Sequence, residues 1–194
     1  MKILEVKQLT DFKHLNLFSN KYKDRTGTLK SWIFASRSKE PQVMLNEESK
    51  SCKPSAVVII PFHQEYKKLV MIKEFRVPLG AYQYGFPAGL MDRDEEIEET
   101  AVRELKEETG LEIVKIIRRS PAIYSSSGMT DESISLVYVI CSGKPSIEWN
   151  EDSEDIEVLM ISSEDAQKLL ETPDIKFDVK SWIVVSTFAR TGII

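Results

Sequence analysis

The sequence predicts an α/β protein with a mixed sheet between helices and a small β-sheet subdomain at its N-terminus. Three observations support this fold class: segments typical of strands alternate with segments typical of helices, most connections are short, and one long helix lies near the middle of the chain. Residues 1–50 contain only strand-like segments, and the polar, proline-containing stretch 38–54 is typical of a linker. We therefore expect two domains, residues 1–50 and 51–194.

Composition restricts the class of protein and of partner. The 194 residues are 42% hydrophobic and 29% charged, as in folded globular proteins. A net charge of -5 argues against nucleic-acid or anionic-membrane partners, which need a basic surface, but a polyanionic small molecule can bind if metal ions bridge it to the protein. We expect neither a signal segment nor a membrane span, because no apolar run approaches ~18 residues. Cys52 and Cys141 are expected to be ordinary thiols of a reduced, cytoplasmic protein.

The N-terminal domain is predicted to be a hairpin. Residues 18–23 and 29–36 alternate in polarity and contain aromatic side chains, and residues 24–27 form a turn between them. A sheet of two or three strands is only marginally stable alone. The domain is therefore expected to pack on the main domain or on a second subunit.

A second hairpin should open the main domain. Residues 56–62 and 69–75 are apolar strands, and the polar turn between them should leave His63 exposed. Residues 82–86 form a strand that leads into Pro87 and Gly89. That pair is expected to bend the chain sharply and to expose the carbonyl of the residue between them.

The second half of the main domain repeats the alternation of strands and helices. The predicted strands are residues 111–117, 133–141 and 156–161, and the predicted helices are residues 163–170 and 179–189. The last helix should direct one face inward, formed by Trp182, Val185, Phe188 and Ala189.

The central helix contains more acids than an ordinary surface helix. Asp92 and Asp94 are residue types that cap a helix start, and Gly110 is a natural stop, so a helix of about four turns is predicted. At 100° per residue, one apolar stripe faces the core, formed by Ile97, Ala101 and Leu105. Glu104 and Glu108 lie on or beside that stripe.

These two acids need a cationic partner. Like charges at i,i+4 cost roughly 0.2 to 0.5 kcal/mol even when exposed, and burying unpaired carboxylates costs far more. Arg103 should point away from both acids and hold Glu99 or Glu107 instead. A hard divalent cation, Mg²⁺ or Mn²⁺, is the simplest partner. The alternative is a solvated acidic helix without a ligand, which charge alone leaves open.

The spacing around this helix decides between the two interpretations. The specified positions are Gly89, Glu95, Arg103, Glu104, Leu105, Glu107, Glu108, Gly110 and Leu111. They match the Nudix box, so the sequence resembles Nudix hydrolases. The resemblance implies a Nudix α/β/α sandwich and a loop-helix-loop metal site. Such a site hydrolyses a nucleoside diphosphate linked to another group.

Four further stretches resemble the ADP-ribose pyrophosphatase branch, namely residues 22–32, 74–78, 86–90 and 127–132. The resemblance implies a domain-swapped homodimer to which the N-terminal sheet contributes, with Trp32 stacking on adenine. Two alternatives stay open: in one, Trp32 fills the hairpin core, since tryptophan is usually well buried, and in the other, Phe34 on the same strand face is the competing platform.

The resemblance also implies polar contacts to the substrate. Arg76 falls at the position that meets the pyrophosphate, and Arg37 matches a further basic contact less firmly. Leu90 and Glu132 correspond to positions that line the nucleotide or the terminal ribose. As alternatives, either arginine can be a surface ion-pair partner, and Glu132 can be an acid at a loop tip.

Metal ligands and a base complete the implied site. The implied ligands are the Ala88 carbonyl, Glu104, Glu108 and Glu154, with Glu107 beside them in the catalytic set. Asp152 or Glu154 would orient or deprotonate the attacking water. The base remains open between these two and a box glutamate, because an aspartate at 152 replaces the glutamate of some members. Segment 150–156 can also be a plain charged turn.

The implied activity is hydrolysis of ADP-ribose to AMP and ribose 5-phosphate, with Mg²⁺ or Mn²⁺ as cofactor. One alternative is the same chemistry on another nucleoside diphosphate sugar or dinucleotide, such as UDP-glucose, ADP-glucose, NADH or FAD. A non-catalytic ADP-ribose sensor is a further alternative, which the complete set of box acids disfavours.

Overall fold

The computed structural model describes residues 1–44 and 53–194 of the chain. Its strands and α-helices, in chain order, are β1 (Lys2–Gln8), β2 (Asn16–Lys23), β3 (Leu29–Ser36), β4 (Ala56–His63), β5 (Lys68–Arg76), β6 (Ala81–Gly85), β7 (Ala88–Leu90), α1 (Ile97–Thr109), β8 (Glu112–Arg119), β9 (Ile123–Tyr124), β10 (Ser133–Ser142), β11 (Ile156–Ile161), α2 (Ser163–Glu171) and α3 (Val179–Thr191). The predicted boundary between residues 50 and 51, and Cys52, lie outside the described residues.

The chain forms two compact units. One comprises Met1–Ser55 together with Pro121–Ile134, and the other comprises Ala56–Ser120 together with Ser135–Ile194. The first unit thus includes a later segment in addition to the N-terminal residues.

The first unit is built on an antiparallel sheet in the order β1-β2-β3. The predicted hairpin of β2 and β3 is confirmed, and β1, which was not predicted individually, is the third strand. Phe18 and Phe34 form the buried centre of this sheet, with stacked rings 5.6 Å apart. Asn16 is buried because its side-chain amide bonds both the backbone N–H and the carbonyl of Phe12.

The second unit is an α/β fold with the predicted mixed sheet. The strand order is β11-β5-β4-β10-β8, and β6 and β7 extend the sheet by pairing with β5 and β4. α1 packs against β4, β7, β8 and β11, while α2 packs against α3. The core beneath α1 consists of Val57, Ile59, Val70, Ala101, Leu105, Leu111, Val137, Val139 and Cys141.

Three local predictions for this unit were wrong. His63 is fully buried, because its Nε2 lies 3.0 Å from the Gly143 carbonyl and its Nδ1 accepts from the backbone N–H of Tyr66. On the predicted inner face of α3, Val185, Phe188 and Ala189 are buried as expected, but Trp182 is exposed, because the buried face is completed by Ser181 and Val184 instead. The segment after Pro87 is not a sharp bend but the short strand β7, because it pairs with β4.

Candidate active site

Both ends of α1 are defined by local chemistry. The helix begins after Glu96, which forms a capping box with Glu99, so the predicted caps Asp92 and Asp94 lie before the true start. It ends at Gly110, as predicted, in the left-handed conformation with φ 71°. A side chain at Gly110 would also collide with Ser146, whose N–H donates to the Thr109 carbonyl at 2.8 Å. The helix end is thereby tied to the loop that follows β10.

Glu104 and Glu108 are buried, as the helical periodicity predicts. Their exposed fractions are only 8% and 5%, while Ala101 and Leu105 on the same face are fully buried. Glu108 Oε2 accepts a hydrogen bond of 3.2 Å from the backbone N–H of Ala88. The helix therefore presents two carboxylates to β7.

The Glu104 carboxylate lies directly against Gly89. A Cβ atom built on that glycine would be 1.7 Å from Glu104 Oε1, far closer than non-bonded atoms approach each other. Gly89 is therefore required for close approach between strand β7 and the acid face of α1. The first glycine of the motif thus makes room for a buried carboxylate.

The buried acids carry unfavourable electrostatics. Burial raises the pKa of Glu108 well above its usual range, and the charges of Glu104 and Glu154 add to the effect. Burial also raises the pKa of Glu104, although Arg103 acts in the opposite direction. An additional cation would stabilise the ionised form of both side chains.

Arg103 makes more contacts than the sequence predicted. Its guanidinium bonds both oxygens of Glu95, at 2.9 and 3.0 Å, and also Glu107 Oε2 at 3.0 Å. It contacts Glu104 Oε1 at 2.7 Å as well, so the expectation that it points away from this acid was wrong. Its expected contact with Glu107 is confirmed, whereas Glu99 serves the helix cap. The remaining N–H group donates to the Leu90 carbonyl, which connects the loop before α1 to the helix.

The donor atoms at this site fit a hard divalent cation. Glu104, Glu108 and the half-exposed Glu107 supply carboxylate oxygens, which Mg²⁺ and Mn²⁺ prefer. Glu108 is buried and receives its hydrogen bond from a neutral N–H group rather than from a cation. Among residues 1–44 and 53–194, however, no three acid, histidine or cysteine side chains form a ready-made cluster of ligands. The acid side chains are thus arranged around Arg103 and Gly89.

The late acid segment places Glu154 near the buried acids. The negative charge of Glu154 contributes to the raised pKa of both Glu104 and Glu108. Its Oε2 accepts a hydrogen bond of 2.9 Å from the backbone N–H of Glu151, which closes a turn. Asp152, the other predicted base, is exposed. Sequence reasoning did not single out Asp155, which accepts a hydrogen bond from Tyr82.

The predicted substrate residues of the second unit lie at strand ends. Arg76 ends β5, is half exposed and pairs with Glu74 Oε1 at 2.7 Å. Leu90 ends β7 with an exposed side chain, while its carbonyl holds Arg103. Arg76 therefore has the ion-pair partner that the sequence allowed as an alternative, and half of its side chain remains exposed to solvent.

In the first unit, Trp32 is exposed and Phe34 is not. Trp32 is 52% exposed, and its indole N–H donates to the Gly128 carbonyl at 3.1 Å, so it does not fill the hairpin core. Phe34 is packed on Phe18 and is not an open stacking surface. The other two predicted substrate residues of this unit contact each other. Arg37 pairs with Glu132 at 3.2 Å, and Glu132 also accepts from the Ser125 hydroxyl at 3.1 Å.

An α/β fold that buries two acids of its central helix against a glycine-containing strand is the arrangement expected of a Nudix hydrolase. The family model described as "NUDIX domain" matches residues 53–183, so this chain belongs to the Nudix family. Nudix hydrolases generally use a divalent metal ion. In the described part of the chain, no helix combines the length and the apolar character that crossing a membrane requires.

Two curated relatives and one solved structure are similar to this chain. It is 38% identical over 133 residues to the ADP-ribose pyrophosphatase of Bacillus subtilis, a match that covers 66% of this chain and 68% of the relative. It is 34% identical over 143 residues to the ADP-ribose pyrophosphatase of Saccharomyces cerevisiae, covering 71% of this chain and 58% of the relative. A crystal structure of an ADP compounds hydrolase superposes with a TM-score of 0.67 at 21% identity, over 96% of this chain and 92% of that one. The structural match confirms the fold.

Proposed function

We propose that this protein hydrolyses the pyrophosphate of ADP-ribose to AMP and ribose 5-phosphate with Mg²⁺. The observation that carries the proposal is the pair of buried carboxylates, Glu104 and Glu108, of which Glu108 lacks a cationic partner among the described residues. The choice of ADP-ribose is supported by the two relatives that are named ADP-ribose pyrophosphatases.

Each site residue then has a distinct task. Glu104, Glu108, Glu154 and the Ala88 carbonyl would hold the metal, with Glu107 beside them. When bound, the metal offsets pyrophosphate charge and lowers the pKa of a water molecule. Glu154 or Asp152 would accept the proton of the attacking water. Glu154 is the better supported of the two, because its charge acts on both buried acids.

The arginines would bind the substrate rather than the metal. The Arg76 guanidinium is half exposed at the end of β5, where its planar group can donate two parallel hydrogen bonds to phosphate oxygens. Doing so requires exchange of its ion pair with Glu74, in which the Arg76 side chain is 51% exposed and the Glu74 side chain 23% exposed. Leu90 would contact the nucleotide with its exposed side chain.

The first unit is proposed to bind the base and to form the dimer. Trp32 presents an exposed indole, the kind of surface on which adenine stacks. Arg37 and Glu132, already paired with each other, would line the nucleotide or the terminal ribose. We further propose a cytoplasmic, domain-swapped homodimer. Light scattering should give twice the mass of the chain, and W32A should raise the KM for ADP-ribose more than it lowers kcat.

The test of the activity compares matched glutamate variants on one helix. The wild-type protein should release AMP from ADP-ribose with Mg²⁺ or Mn²⁺ and be inactive with EDTA. Glu104→Gln should lower kcat by about 10²-fold or more. Glu98→Gln changes an exposed acid of the same helix, paired with Arg119, and should leave turnover unchanged.

A substrate panel sharpens the same test. ADP-ribose should give the highest kcat/KM among ADP-ribose, ADP-glucose, UDP-glucose, NADH and FAD. A preference for UDP-glucose would contradict the proposed substrate while retaining the hydrolase. Binding of ADP-ribose without product would identify a sensor instead.

A further inference from the structure

Tyr82 is held firmly at the edge of the second unit's sheet. It lies on β6 directly opposite Phe75 of β5, and the two rings meet edge to face with centroids 5.4 Å apart. Lys73 Nζ lies 5.1 Å from the centre of the Tyr82 ring and also pairs with Glu157 of β11 at 3.0 Å. The ring is therefore restrained by an aromatic contact and a cation–π contact.

The Tyr82 hydroxyl reaches the last residue before β11. It donates to Asp155 Oδ2, and this hydrogen bond is the main cause that raises the pKa of Tyr82. The Asp155 carbonyl accepts from the Phe75 N–H at 3.0 Å, which continues the pairing of β11 with β5 by one residue beyond Ile156. Asp155 is thus fixed through both its backbone and its side chain.

Asp155 directly follows Glu154 in the chain, so its anchoring bears on the position of Glu154. In extended chain, successive side chains project to opposite sides. The Asp155 carboxylate lies toward Tyr82, and the charge of the adjacent Glu154 is a lesser cause, after burial, of the raised pKa of Glu104 and of Glu108. On its other side, Glu154 is joined to Glu151 by two hydrogen bonds of 2.9 Å that close the turn.

We propose that Tyr82 is a positioning residue for Glu154: its hydroxyl anchors Asp155 and so directs the adjacent carboxylate toward the buried acids of α1. The inference rests on the proposed function, in which Glu154 binds metal or water. Tyr82 itself needs no contact with substrate. Its removal should therefore disturb turnover rather than substrate binding.

The first experiment replaces the hydroxyl alone. Tyr82→Phe keeps the ring and its contacts with Phe75 and Lys73. With ADP-ribose and saturating Mg²⁺, we expect kcat to fall by about 3- to 10-fold, the size expected for one lost positioning hydrogen bond, and KM to change by less than about 2-fold. Tyr66→Phe is the matched control, because Tyr66 is similarly exposed but lies in the β4–β5 turn, where its ring contacts His63. It should match the wild type.

The second experiment asks whether Tyr82 acts through Glu154. In a Glu154→Gln background, Tyr82→Phe should have no further effect on kcat. If the two residues acted independently, the fold-losses in kcat of the two single variants would multiply in the double variant. Asp155→Asn, which weakens the acceptor, should reproduce the loss of Tyr82→Phe. An active wild type with unchanged Tyr82→Phe turnover, or multiplicative effects in the double variant, would overturn this inference alone. A wild type inactive on ADP-ribose would overturn the proposed function and this inference with it.

Discussion

Two glutamates at opposite ends of the central helix have environments that shift their pKa values in opposite directions. Just before α1, Glu95 receives hydrogen bonds from the Arg103 guanidinium on both oxygens, which lower its pKa to about 2. In the last turn of α1, Glu108 is buried with one N–H donor, that of Ala88, and burial raises its pKa well above the usual range. Glu104 is intermediate, since it is buried but touches Arg103.

If the proposed function is correct, the difference separates an acid that stabilises the fold, Glu95, from an acid that binds metal, Glu108. Glu95 has its cation built into the fold, so its charge stabilises the folded chain. Glu108 lies in an environment that disfavours its ionised form. A cation bound from solution would stabilise that form. The predictions below test this contrast.

The largest expected effect is on the turnover of Glu108→Gln. Glutamine keeps an acceptor for the Ala88 N–H but cannot provide a carboxylate to metal. We expect kcat to fall by about 10²- to 10³-fold, while the metal-free melting temperature stays unchanged or rises, because an opposed buried charge is removed. Kinetics and thermal unfolding in EDTA provide the measurement. A destabilised variant that retains turnover would make Glu108 a structural acid like Glu95.

The next largest effect is expected for Gly89→Ala. The added Cβ would overlap the Glu104 carboxylate, and β7 cannot move away freely because it pairs with β4. We expect a loss of about 1–3 kcal/mol in unfolding free energy and a strong loss of turnover. Gly85→Ala is the control, since its Cβ would meet nothing closer than 3.9 Å. Equal stability of the two variants in denaturant titrations would refute the close contact.

Glu95→Gln should lower the stability of the folded protein, whereas Glu108→Gln should not. Loss of the charged bonds to Arg103 should cost about 1–3 kcal/mol at pH 7. Because the folded pKa of Glu95 is lowered from 4.5 to about 2, its contribution is present above pH 4.5 and is lost as the pH falls through that interval. The stability difference between wild type and variant, measured in urea, should therefore narrow below pH 4.5 and vanish near pH 2. A difference independent of pH would show that the charge of Glu95 is not what stabilises the helix.

Sequence reasoning succeeded where a local rule decides the outcome. The 3.6-residue period placed Glu104 and Glu108 on the buried face, and Gly110 marked the helix end. The β2–β3 hairpin followed from alternation and turn residues, and the β4–β5 hairpin followed from two apolar runs separated by a polar turn. The exposure of Trp32 was open from sequence, because strand alternation does not say which face a partner covers.

Sequence reasoning failed where the position of a side chain depends on a segment far away in the chain. The burial of His63 depends on the Gly143 carbonyl, 80 residues away, which no local pattern reveals. The reach of Arg103 was underestimated because a helical-wheel angle describes the direction of Cβ, whereas its long side chain folds back to Glu95. Tyr82 was missed because its partner Asp155 is 73 residues away and is one acid among several in its segment.

The last prediction concerns Cys141 and tests whether water is excluded from the core beneath α1. This thiol lies in the core beneath the helix, and burial raises its pKa to about 12 without any nearby negative charge as a cause. At pH 8 it should react with iodoacetamide at least about 10²-fold more slowly than in urea, since only the accessible thiolate reacts. Mass spectrometry would follow alkylation in a Cys52→Ser background, so that a single thiol is counted. Rapid reaction of the native protein would mean that reagent and water reach the core beneath α1, contrary to the complete burial of Cys141.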